Sequence, residues 1–173
     1  MTRVEEVAYH EAGHVVCALA MGFEVVSVSL RKGPRRGAFP TNGRVHVVPK
    51  VLAPVYSWNR TRTKAGLAFQ AVVVCCGGAA ATARAILTLE VGAGCLGDSE
   101  DSDLIMNGLN LSQQDRDLFL GRAARRALTI IHSRFWSVEA IAAALLVSPR
   151  KRMVGKEIAR VVRNARAAKT KGA

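Results

Sequence analysis

A mainly helical α+β fold with one small β-sheet is what this sequence predicts. Three observations carry that expectation. Apolar residues recur at helical spacing near the start, two short stretches that follow read as strands, and the second half is a succession of helical segments. The 173 residues suffice for one well-buried domain, expected over residues 1–168, with a basic tail at 169–173 expected to be disordered.

The first helix is the most strongly marked element. Thr2 followed by Glu5 makes a capping box, in which each side chain satisfies the other residue's backbone N–H. Val4, Val7, Ala8, Ala12, Val15, Val16, Leu19 and Ala20 form an apolar stripe, and Gly22 is placed to end the helix. Gly13 in its middle costs about 1 kcal/mol relative to Ala. Something must compensate, such as the close approach of another backbone.

Next, Glu24–Leu30 reads as a half-buried strand, with Val26, Val28 and Leu30 alternating against Ser27 and Ser29. The basic segment Arg31–Asn42, with two glycines and two prolines, predicts a loop. Gly43–Pro49 predicts a second strand antiparallel to the first, with His46 as a surface or packed residue. Lys50–Arg62 predicts another loop. Ala65–Ala83 carries no charge over 19 residues, and its Gln70, Thr82, glycines and many alanines favour a central core helix over a membrane span.

An acidic island follows in an otherwise basic chain: Glu90, Asp98, Glu100, Asp101 and Asp103. It reads as a solvated loop, as helix-capping carboxylates at Asp101 or Asp103, or as the source of a metal ligand. Its order does not match a calcium-binding EF-hand loop. Ser112-x-x-Asp115 opens a helix expected to reach about Phe135, Ser137 is expected to cap another through Leu146, and Gly155–Ala168 predicts a last one after Pro149.

The formal net charge of +12 favours anionic partners, whether nucleic acid, a membrane surface or an acidic protein. Residues 150–171 hold nine Lys or Arg against the single acid Glu157, a pattern that also suits a solvated helix face. Scarce aromatics argue against a platform for stacking single-stranded bases. Cys17, Cys75, Cys76 and Cys95 form no CxxC pair and read as thiols in a reducing compartment. With no apolar signal region, a cytoplasmic protein without an integral membrane segment is expected.

Within the first helix lies Tyr9-His10-Glu11-Ala12-Gly13-His14. Residues four apart share a helical face, so the imidazoles of His10 and His14 can reach one metal ion. Glu11 is turned partly aside, where it can act on water as a general base rather than bind the metal, the layout of zinc metallopeptidases. A catalytic zinc takes three protein ligands and keeps one position open, so the acidic island is the place to seek the third.

These residues resemble a known family. Ala8-Tyr9-His10-Glu11-Ala12-Gly13-His14 is similar, almost letter for letter, to the zinc-binding helix of the FtsH-type peptidase domain. Gly77-Gly78-Ala79-Ala80-Ala81 resembles that family's Gly-Gly-x-Ala-Ala-Glu stretch on a buried helix, and Ser102-Asp103-Leu104 resembles its later Asp-Leu. Ile141–Leu146 and Gly155-Lys156-Glu157-Ile158 resemble its closing helices. The chain is most similar to the small stand-alone FtsH-like peptidases that lack the AAA+ ATPase module. The resemblance implies a zincin-like helix beside a short antiparallel hairpin, Zn2+ held by His10, His14 and Asp103, and Glu11 as the catalytic residue. Asp98 and Asp101 are the alternatives to Asp103. Thr82 departs from the pattern by standing where the family has glutamate.

No Gly-x-x-x-x-Gly-Lys-Ser/Thr occurs, so no ATP-driven motor is expected in this chain. Substrates should then be flexible peptides or unfolded protein, and an oligomer is compatible with the sequence. The alternative function is a catalytically inactive zinc-binding protein whose basic C-terminal region meets nucleic acid or an acidic partner.

Overall fold

The computed structural model describes residues 1–32, 40–49, 64–86 and 96–171, with backbone alone at residues 31, 32, 40–42, 48, 49, 64, 96, 97 and 99. In chain order the elements are α1 (Arg3–Met21), β1 (Phe23–Lys32), β2 (Pro40–Pro49), α2 (Lys64–Ile86), α3 (Leu96–Asn107), α4 (Gln113–Ser133), α5 (Phe135–Val147), β3 (Arg152–Val154) and α6 (Gly155–Lys171). The fold is mainly α with a small antiparallel sheet, as the sequence predicts.

α1 forms as its ends dictate. Thr2 and Glu5 make the reciprocal capping box, and Gly22 closes the helix in the left-handed region at φ 81°. Its interior packs chiefly on α2, and also on α5 and the first two strands. The compensation that Gly13 requires is a close helix crossing. A Cβ at Gly13 would collide with the carbonyl oxygen of Gly77 and with Ala81, so only glycine admits this close crossing of α1 and α2. Cys17 lies at the same crossing, fully buried, with its Sγ 2.9 Å from where a Gly77 Cβ would sit.

Ala65–Ala83 lies within α2, the central helix, which packs on α1, α3 and α4. Among the described residues it is the single helix long and apolar enough to cross a membrane, and half of that window is buried inside the protein. The bent pair α4–α5 meets the same length and composition test as one broken span.

The sheet has the order β2-β1-β3, all antiparallel. Its register corrects the expected alternation. A bulge between Val25 and Ser27 turns Val26 outward and leaves Val25, Val28 and Leu30 facing the core. β3 is a strand that the sequence reading missed, three residues long and held to β1 through Ser27, Val28 and Ser29. A strand so short carries little alternation to read.

Several boundaries also move. Arg31, Lys32 and residues 40–42 belong to the strands rather than to a loop, while residues 33–39 and the expected Lys50–Arg62 loop lie outside the described residues. Glu90 lies outside them too. The rest of the acidic island is helix: α3 begins at Leu96, so Asp101 and Asp103 are mid-helix rather than caps. Ser112 caps α4 as expected, accepting from the Asp115 N–H at 3.2 Å. Ser137, expected as a cap, is instead buried inside α5, which starts at Phe135. α6 continues through Lys171, so residues 169–171 of the expected tail are helical.

Candidate metal centre

Two elements converge on one point. α1 contributes His10, Glu11 and His14, all buried, and α3 contributes Asp98 from its first turn. The Nε2 atoms of His10 and His14 are 3.0 Å apart, and Asp98 Oδ2 lies 3.0 Å from the first and 3.2 Å from the second. Two donors on one tetrahedral zinc, each about 2.0–2.1 Å from it, would be about 3.3 Å apart. The spacing suits a small cation in the middle.

The environment of each donor points the same way. His14 Nδ1 donates to the Val74 carbonyl oxygen at 2.7 Å, since a carbonyl can only accept. In the neutral ring this fixes the proton on Nδ1 and leaves the Nε2 lone pair aimed at the cluster. Asp98 Oδ2 is buried and makes no well-directed hydrogen bond despite the two nearby rings. A buried oxygen in that state is costly without a cation. The donor set of two imidazoles and a carboxylate, with an orphaned oxygen facing both rings, therefore fits a metal ion.

Charge inside the cluster is coupled. Burial opposes a charged His14, but the Asp98 carboxylate close beside it, Glu11 and the Val74 carbonyl outweigh it and push its pKa up to about 9. Burial likewise opposes a charged Asp98, and the two histidines override it, holding the carboxyl down at about 2. Glu11 behaves differently. Burial and the Asp98 charge hold its pKa above the ordinary carboxylate range, against the pull of both histidines.

No protein-family model matches the chain, and no curated protein matches it significantly.

The walls of the site are glycines. A Cβ at Gly78 on α2 would lie 2.5 Å from His14 Nε2 and 2.6 Å from His10 Nε2, so the bare α2 backbone lets the rings sit against it. A Cβ at Gly43 on β2 would collide with the Cγ, Cδ and Oε1 of Glu11. The edge strand thus touches the candidate base directly. Thr82 is buried one turn beyond Gly78 and donates its hydroxyl to the Gly78 carbonyl at 3.0 Å, so this position offers no carboxylate.

Among the sequence-predicted residues, His10, Glu11 and His14 come together and Asp103 does not. Asp103 has 62% of its side chain exposed and faces Arg116 at 3.9 Å. It lies five residues past Asp98, about 140° round the helix. The buried face of α3 is instead marked by Asp98, Ser102 and Met106, with the Ser102 hydroxyl donating to the Asp98 carbonyl at 2.7 Å. Asp101 is exposed. The ligand expectation is thus corrected from Asp103 to Asp98, the alternative that helix phase selects. His46 is exposed on β2 and His132 is exposed near the end of α4, both outside the cluster. Sequence reasoning passed over Gly43 and the role of Gly78. An isolated strand glycine often marks close approach of another group, which was the available signal for Gly43.

Proposed function

We propose that this chain is a zinc-dependent, ATP-independent metalloendopeptidase of the FtsH-like kind. One observation carries the reading: His10, His14 and Asp98 offer ligand atoms within 4.8 Å of one another, while Glu11 stands buried beside them, outside the ligand set and with a raised pKa. A purely structural zinc site takes four protein ligands and needs no such base.

His10, His14 and Asp98 would hold the ion, leaving a position open. Zinc, when bound, supplies Lewis-acid activation of water and of the peptide carbonyl. Glu11 accepts the proton that water releases as its oxygen bonds to the carbonyl carbon. It returns a proton to the amine nitrogen as the C–N bond breaks. Its burial raises the carboxyl's pKa, which favours its holding the proton between the two transfers. β2 touches Glu11 at Gly43, and its outer edge, which pairs with no strand among the described residues, gives an extended peptide backbone partners as an added strand.

Cys17 and Cys75 are free thiols, which suits a reducing compartment such as the cytoplasm. A second reading, a zinc-binding protein without catalysis, draws on the exposed Lys156, Arg160, Arg163, Arg166 and Lys171 of α6, suited to nucleic acid or another anionic partner.

The deciding experiment measures zinc by elemental analysis and casein hydrolysis on wild type and Glu11→Gln. One zinc per chain in both, with hydrolysis in wild type alone, is the expected result. Zinc without hydrolysis of any flexible substrate would favour the second reading.

A further inference from the structure

The solvent face of the sheet has no part in the metal centre, yet its register sets two rows of side chains beside it. Ser29 on β1 faces Arg44 on one side and Arg152 on the other, and Ser27 lies between His46 and Val154. Arg44, His46 and Arg152 are exposed. Val45 and Val47 are partly buried against the core, as strand alternation requires, and Gly43 shares their face against Glu11. β2 is therefore a two-sided edge strand, with its inner face on the metal helix and Arg44 and His46 on its outer face. Its far edge pairs with no strand among the described residues.

We infer that the peptidase selects extended peptides carrying an acidic side chain at the position that faces Arg44. This rests on the peptidase reading above. A peptide added to β2 places one residue directly opposite Arg44 and the residue two along opposite His46. Directly opposed side chains across a strand pair lie about 4.5–5.5 Å apart at Cβ, where opposite charges attract and like charges repel. The guanidinium of Arg44 presents a planar fork that matches a carboxylate. Arg152, two strands further in, and the chain's net charge of +12 add the same sign. Glu24 opposes it: exposed on β1 opposite Val48, it lies nearer the His46 row than the Arg44 row. Arg44 is thus the selecting position.

The test uses quenched-fluorescence peptides identical except for one Glu, Gln or Lys, stepped through the positions flanking the scissile bond. Each is measured as kcat/KM with zinc-loaded wild type and Arg44→Glu. At one position wild type should rank Glu above Gln above Lys, by about two- to five-fold per step, and the ranking should narrow as salt rises. Arg44→Glu should reverse the order there, which a merely structural role for Arg44 would not do. Equal rates for the three peptides, or an order that Arg44→Glu leaves unchanged, overturns the inference. Should Arg44→Glu lose zinc or fold, Arg44→Gln replaces it, and a Glu preference that survives in that variant overturns the inference equally. Hydrolysis without charge preference removes this inference alone. No hydrolysis of any peptide by zinc-loaded wild type removes the peptidase reading, and this with it.

Discussion

His14 Nδ1 and the carbonyl oxygen of Val74, 60 residues apart in sequence, are joined by a hydrogen bond of 2.7 Å. That bond ties α1 to α2 at the candidate metal centre and decides which nitrogen of His14 faces His10 and Asp98. It also makes proton and metal rivals for Nε2.

The pH dependence follows from that rivalry. In metal-free protein the raised pKa of His14 means that its ion pair with Asp98 stabilises the fold fully below about pH 6.5, and is lost as pH rises through about 9. At the acid end the same pair is lost as pH falls through the depressed Asp98 pKa of about 2. Zinc needs the unprotonated ring. Metal-free protein should therefore melt at lower temperature as pH rises from 6.5 to 9, while the increase in Tm on adding zinc grows. A zinc-induced increase that shrinks over this interval would count against ligation through His14 Nε2.

Asp98→Ala should lose zinc by more than the roughly 10- to 100-fold that removal of an outer supporting group costs. Asp103→Ala should bind zinc like wild type, because its side chain faces Arg116 and solvent. Titration with a competing chelator separates the two, and the opposite ranking would return the ligand to Asp103.

Gly43→Ala and Gly78→Ala should fail in different ways. The added methyl at Gly78 meets both imidazoles and should weaken zinc binding. At Gly43 it meets Glu11, so zinc should stay while hydrolysis falls by about 100-fold through misplacement of the base. Zinc content and turnover measured on the same samples resolve them. Full activity in Gly43→Ala would show that β2 can yield without disturbing Glu11.

Glu11→Gln preserves shape and removes the base. It should keep zinc and lower kcat by about 10²–10⁴-fold. Wild-type turnover in this variant would exclude Glu11 from proton transfer.

Removing the residues after Arg166 should leave zinc binding intact. Every residue of that stretch whose burial is described is exposed, and Lys169 at 5.9 Å from the Trp136 ring is worth about 0.5–1 kcal/mol at such a site. A fall in zinc stoichiometry would make the end of α6 part of the fold.

The sequence by itself determined the elements whose signals are local. The capping box of Thr2 and Glu5, the four-residue spacing of His10 and His14, the Gly22 stop and the strand pair are written within a few residues each. Gly13 even announced a close helix crossing, though not that Gly77 would be its partner. Tertiary structure alone decided the rest. Whether Asp98 or Asp103 reaches the histidines depends on the phase of α3, which its docking on α2, where Ser102 meets the Cys75 thiol, sets. Gly43 meets Glu11, and Arg44 shares a row with Arg152, because strand register and a bulge bring together residues that no short spacing relates. Helical periodicity is a property of neighbours along the chain. The candidate third ligand, the glycine walls and the cationic row are properties of packing between elements, and they exist once those elements meet.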